Sequence, residues 1–133
     1  MADEASYVIP MSELEAFYDE PGEKGWILEG YKHELTTTSA IVTETAPGGG
    51  PPLHLHFTEE IHVLPECQMA YIMSESIFEV LGPCVVRIPA RLPHTFLNRG
   101  SAPVRVVCFF PAYNFWSNYV EVGPNPLVGR RPS

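Results

Sequence analysis

An all-β sandwich or barrel is the fold class this sequence predicts, and three observations predict it. From Trp26 onward the apolar residues recur with a period of two or gather in short runs, as they do in strands. Fourteen prolines and ten glycines are spread along the 133 residues rather than gathered in one linker, which leaves little room for long helices. Apolar residues make up 45% of the chain, enough for a packed core, and the length suits a single domain over 1–133.

The elements follow in order. Ser12-Glu13-Leu14-Glu15 fits a capping box with Met11 and Ala16 placed as a hydrophobic staple, so a short N-terminal helix is expected from Ser12 to before Pro21-Gly22. Strands are expected over 26–35, 38–46, 60–64, 68–73, 76–81, 84–88, 94–98 and 103–110, divided by Pro, Gly, Asn or Ser clusters. They define a barrel core of about 26–112, with an N-terminal segment over 1–25 and a C-terminal arm over 113–133. Pro47-Gly48-Gly49-Gly50-Pro51-Pro52 lacks the Lys-Ser/Thr ending and the following helix of a phosphate loop, and reads as a barrel-corner turn. The end, Gly123 to Ser133, is rich in Pro and Gly and reads as an extended arm or frayed tail.

Charge and cysteine usage narrow the partners. Eight Lys plus Arg against sixteen Asp plus Glu leave a formal charge of −8, which repels polyanions and excludes nucleic acid as a partner. Seven of the carboxylates fall in the first 23 residues and read as a solvated segment. No uncharged apolar stretch approaches the roughly 20 residues that span a bilayer, so no membrane partner is expected. Cys67, Cys84 and Cys108 are odd in number, lack C-x-x-C spacing and sit among apolar residues, as reduced buried thiols do. Asp3 and Glu4 stand where a secretion signal carries positive charge, and a cytoplasmic location is expected.

One cluster carries the chemistry. His54, His56 and His62 fall within nine residues, with Glu60 among them. Residues two apart on a strand share a face, so His54 and His56 project together, and Glu60 joins them from the next strand after a short turn. His94 follows the turn 89–93 and adds a fourth ligand, with Phe96 and Asn98 on the same side of its strand. Three imidazoles and a carboxylate make a site for one divalent transition metal, whether Fe, Zn, Ni, Mn or Cu, and six-coordination leaves two positions open. Burying these groups without a metal would cost about 1–3 kcal/mol for each left unsatisfied. His33, alone on an apolar strand, reads as a core residue instead.

In order and spacing these residues resemble the cupin superfamily. Gly48, His54, His56 and Glu60 match its first motif, with Cys67 where that motif ends in Gly; Pro89, His94 and Asn98 match its second, with Pro83 and Arg91 in place of two glycines. The resemblance covers roughly 26–112 and implies a single-domain cupin β-barrel, or jelly roll, holding a metal through His54, His56, Glu60 and His94. His62 lies two residues after Glu60 where related cupins often carry Tyr or Phe, so it faces the same interior as a candidate catalytic acid or base beside Glu60. Tyr71, Arg91, Phe96 and Asn98 are the candidate substrate contacts, Arg91 facing either an anionic substrate or water at the barrel mouth. Met69, Met73, Phe78, Phe109 and Phe110 add to an apolar and aromatic wall, with Phe115, Trp116 and Tyr119 just beyond it. Such a lining favours a small oxygenated substrate, aromatic or polyketide-like, over a sugar nucleotide.

Two functional classes follow. The first is an enzyme, either a quercetinase-like dioxygenase in which Glu60 shuttles a proton or a redox-neutral isomerase, cyclase, dehydratase or lyase in which His62 moves one. The second is a metal-bearing module that binds or senses a small molecule without turnover. A homodimer is expected, since cupins commonly pair their sheets and the segments 103–110 and 113–119 offer apolar surface.

Overall fold

The computed structural model of the protein describes residues 7–20 and 22–129. Eleven strands make up most of them: β1 (Glu15–Glu20), β2 (Glu23–Leu28), β3 (Ser39–Thr45), β4 (Leu53–His56), β5 (Glu60–Leu64), β6 (Gln68–Met73), β7 (Ser76–Leu81), β8 (Cys84–Ile88), β9 (His94–Asn98), β10 (Val104–Phe110) and β11 (Tyr119–Gly123). They form a six-stranded sheet in the order β1-β2-β3-β10-β5-β8 and a five-stranded sheet in the order β11-β4-β9-β6-β7. Two antiparallel sheets with these crossovers make a jelly roll. No helix among the described residues is long and apolar enough to cross a membrane.

Alternation decides what faces inward. On β3 every second residue, Ser39, Ile41, Thr43 and Thr45, is buried, and β10 buries Val104, Val106, Cys108 and Phe110 in the same way. Ile27, Ile41, Met69, Tyr71, Phe96 and Phe110 meet between the sheets in one core. The Pro47–Pro52 segment is the expected corner turn. Gly48 sits at φ +76, and a Cβ on Gly50 would lie 1.9 Å from the Phe96 carbonyl oxygen, so the turn presses against β9 only because these residues are glycine. Gly48 N donates to Asn98 O and Asn98 N donates to Gly49 O, which locks the turn to the strand that carries His94.

Several expectations are corrected. The helix expected from Ser12 is a single 3-10 turn at Met11–Glu13, without a side-chain cap, and Leu14 is already extended. Pairing with β2 from Glu15 onward outweighs the local capping signal, because a strand buries Phe17 in the core and a helix here would not. Pro21, expected to stop that helix, lies outside the described residues, as do residues 130–133 of the expected tail. The strand expected over 26–35 starts earlier and ends at Leu28; Gly30–His33 is a 3-10 turn closed by Glu34 at φ 61. His33 is therefore half-buried on that turn and not a core residue. Phe109 points outward and is partly exposed, whereas Phe78, the register partner of Tyr71 and stacked on its ring, shares the inner face but is 41% exposed because β7 ends its sheet. The sheets also reach beyond 26–112: β1 precedes that range, and β11 within the expected arm pairs with β4.

Candidate metal centre

Three strands converge on one point. β4 supplies His54 and His56, β5 supplies Glu60 and His62, and β9 supplies His94, whose Cα is the register partner of His54. All five side chains are buried. Glu60 stands at the centre: its Oε1 lies 2.8 Å from His62 Nε2 and 3.2 Å from His94 Nε2, and its Oε2 lies 3.4 Å from His56 Nε2. Ligand atoms of His54, His56, Glu60 and His94 all lie within 4.8 Å of one another.

The hydrogen bonds behind the rings set their tautomers. His54 Nδ1 lies 2.8 Å from Pro52 O and His94 Nδ1 lies 2.8 Å from Leu92 O. A carbonyl only accepts, so each Nδ1 carries the proton and each Nε2 of the neutral ring is left with a lone pair. His94 Nε2 then faces a carboxylate oxygen at 3.2 Å, an arrangement that a proton on the ring or a cation between the two makes favourable. His56 adds to the requirement, since neither of its buried ring nitrogens has a hydrogen-bond partner among the described residues. Burial, together with the neighbouring rings of His94 and His56, lowers His54 to a pKa of about 3; burial likewise lowers His56 to about 4. Both are neutral near pH 7, as metal ligands must be. Burial pushes the Glu60 carboxyl up, but the facing imidazoles of His62, His94 and His56 outweigh it and hold the group well below the usual carboxylate range. The four residues suit one divalent metal ion.

Behind Glu60 runs a second line of contacts. An ionised Glu60 can only accept, so His62 donates from Nε2, and its Nδ1 accepts from the Tyr71 hydroxyl at 2.9 Å. Burial raises Tyr71 well above the usual phenol range, which keeps that hydroxyl protonated. His62 thus braces the carboxylate rather than the imidazole set.

The cavity at this point measures about 20 Å³, room for roughly one water. Phe17, Tyr18, His54, His56, Glu60 and His62 contribute to its wall, with Phe96 and Cys108 among the other lining residues. Of the expected substrate contacts, Phe96 is the one that lines it. Tyr71 lies behind His62. Asn98 donates to Thr45 O and Ala102 O and accepts from Gly100 N, so its amide ties a loop to β3. Arg91 is exposed at φ 65, its backbone N donating to His56 O; it adopts the left-handed backbone for which the family motif uses Gly.

The strand sequences did not disclose Phe17 and Tyr18 as wall residues. Tyr119, expected just beyond the barrel, stands 5.4 Å from the His54 ring and 5.7 Å from His56, centroid to centroid. The buried Glu29 fixes the segment that delivers it, accepting from Phe115 N at 2.9 Å and Trp116 N at 3.4 Å.

Residues 41–110, more than half of the chain, match the family profile described as "Cupin domain". This chain belongs to the cupin family. The cupin is also 32% identical, over 90 residues, to an uncharacterized protein of Methanocaldococcus jannaschii, covering 66% of this chain and 68% of that relative. Among solved structures it resembles an oxalate decarboxylase of Lactobacillus farciminis in a formate complex, with a TM-score of 0.74 and 23% identity over 84% of this chain and 34% of that one. A Bacillus subtilis oxalate decarboxylase, studied for its Mn(II) centers, gives a TM-score of 0.73 and 20% identity over 84% and 31% of the two chains. The cupin spans about a third of the length of these decarboxylases, and at such identities the likeness establishes the fold.

Proposed function

We propose that this cupin is a mononuclear divalent-metal enzyme acting on a small oxygenated metabolite by redox-neutral proton transfer, as an isomerase, cyclase, dehydratase or lyase does. The observation that carries this reading is the line Glu60–His62–Tyr71, which ends at the three-imidazole site and gives it a group able to hold and move a proton. A bound metal would be held by His54, His56, Glu60 and His94 and would polarise a carbonyl or hydroxyl of the substrate. His54 and His94 are oriented by their carbonyl partners. Glu60 takes or returns the proton at Oε1, His62 steadies the charge through Nε2, and Tyr71 fixes the His62 ring through Nδ1. Phe96 and the aromatic wall exclude water. The cavity has room for about one water, so a substrate of any size requires the wall to part, and an aromatic or polyketide-like one requires the most. The fold shared with oxalate decarboxylases agrees with small-acid chemistry.

Turnover of a panel of small hydroxy, keto and dicarboxylic acids under strictly anaerobic conditions tests the proposal. Activity without oxygen supports it, activity only with oxygen consumption replaces it by the dioxygenase reading, and ligand binding without turnover replaces it by the sensing module.

We infer in addition that the protein is a homodimer through the outer face of its six-stranded sheet. Val42, Val107, Val63 and Val85 lie side by side across four strands, and Phe109 pairs with Ile61 in the next row. Val63 and Val85 are 39% and 61% exposed, so the face is apolar on its solvent side. A flat patch of this kind matches itself about a two-fold axis. Light scattering should give a dimer mass that falls to the monomer in Val63→Lys; a monomeric parent refutes the inference.

A further inference from the structure

A regular strand cannot send two consecutive side chains into one cavity, yet Phe17 and Tyr18 both line the metal cavity. The chain achieves this with a bulge. The register of β1 against β2 shifts between Phe17 and Asp19, and Tyr18 sits at φ +57, a left-handed backbone that a bulky residue adopts only at a cost. The bulge turns Tyr18 inward, where its hydroxyl meets that of Tyr119 at 3.1 Å, 101 residues away in sequence. Tyr18 lies on β1, the outermost strand of one sheet, and Tyr119 on β11, the outermost strand of the other. The contact therefore closes the seam between the sheets directly beside His54 and His56.

We propose that Tyr18 and Tyr119 are the door of the metal cavity and set the size of the ligand admitted. The reading deepens the proposed enzyme, on which it rests for what lies behind the door. A cavity with room for about one water cannot hold a metabolite while its wall is closed, so part of that wall must yield. The barrel offers few places for this. Interior strands are paired on both sides, whereas β1 and β11, like β7 and β8, each have a flank without a strand partner among the described residues, and the Tyr18–Tyr119 contact bridges β1 and β11. The rings around the seam pack on one another: Phe17 lies edge-on to Tyr119 at 5.5 Å, and Phe115 stacks on Tyr119 at 5.3 Å. Parting one phenol pair and sliding these rings opens the site without breaking a strand ladder. The Tyr18 hydroxyl then faces the ligand as a hydrogen-bond donor, because burial holds it well above the usual phenol range and keeps it protonated.

Cys108 supplies a test that needs no metal. Its thiol lines the same cavity and is 4% exposed, so a reagent reaches it only when the cavity opens. In protein carrying Cys67→Ser and Cys84→Ser, Cys108 is the remaining one of the three cysteines, and its modification by methyl methanethiosulfonate is followed by mass spectrometry. Tyr18→Phe and Tyr119→Phe each keep the ring and lose the hydroxyl contact. Each should speed modification by about two- to tenfold, the range expected for one neutral hydrogen bond, and the double variant should go no faster than the faster single. A bulkier reagent, a dithiobis-nitrobenzoate, should show the larger acceleration. Unchanged rates in both variants overturn the proposal. So does an acceleration equal to the rise in the globally unfolded fraction from urea titration of the same proteins, since that opening is unfolding of the whole barrel. Acceleration in a protein that turns over nothing keeps the door and removes the enzyme reading.

Discussion

His62→Phe separates a ligand from a residue that supports one. The ring is buried and makes two side-chain contacts, Nε2 to Glu60 Oε1 at 2.8 Å and Nδ1 to Tyr71 Oη at 2.9 Å. Phenylalanine fills the same space and makes neither. The contact with the ionised carboxylate is charge-assisted, worth about 1.5–3 kcal/mol, and the orphaned Tyr71 hydroxyl adds about 1–3 kcal/mol. The metal-free variant should therefore lose about 2.5–6 kcal/mol in urea denaturation, and Tyr71→Phe made in the same chain should recover part of it by removing the orphan. Metal affinity should respond differently. The three imidazoles and Glu60 remain, so calorimetric titration with zinc should show weakening by about 10–100-fold, the usual effect of losing a partner that orients a ligand, with one site per chain retained. Turnover should fall by about 10–100-fold at saturating metal, the effect of losing a partner that orients Glu60. An unchanged zinc affinity would refute the bracing role of His62. Loss of the site altogether would make His62 a ligand.

Three further outcomes are expected. His54→Ala or His94→Ala should remove most bound metal while circular dichroism still reports a folded β protein, because the core of Ile27, Ile41, Met69 and Phe110 is untouched; metal content equal to the parent, by plasma emission, would sink the site. Glu29→Ala leaves the buried Phe115 N–H without its acceptor and should cost about 1–3 kcal/mol while shifting the emission of Trp116, which is 44% exposed; an unchanged spectrum would show that Glu29 does not hold the segment. In metal-free protein, His54 and His56 refuse protons until about pH 3 and 4, whereas the unfolded rings accept them near 6.5, so stability should fall as pH drops through 6.5 toward 4. At pH 5 the loss should be about 2 kcal/mol for each ring, read as a lower urea midpoint, and a flat midpoint from pH 7 to 5 would contradict the burial of neutral imidazoles.

The sequence by itself determined the parts of this protein that depend on neighbours in the chain. A two-residue period is a property of extended backbone, so the alternation along 38–46, 60–64 and 103–110 placed β3, β5 and β10, and the spacing of His54, His56 and Glu60 set three ligands toward one interior. The Pro-Gly corner was legible for a similar reason, since Gly48 needs a left-handed backbone and Gly50 a close approach that other residues do not allow. Tertiary structure decided the rest. Ser12 to Glu15 carries a helix signal worth little against five paired residues of β1, whose partner strand the local pattern does not reveal. Tyr119–Gly123 lies in the expected arm, and pairing with Leu53–His56 is what makes it a strand. The bulge at Tyr18 and the closing contact with Tyr119 depend on two sheet edges meeting across 101 residues of sequence, a distance at which periodicity carries no information. His62 facing Glu60 was readable from spacing; Tyr71 behind it was not, because the β5 and β6 side chains meet only when the two sheets pack face to face.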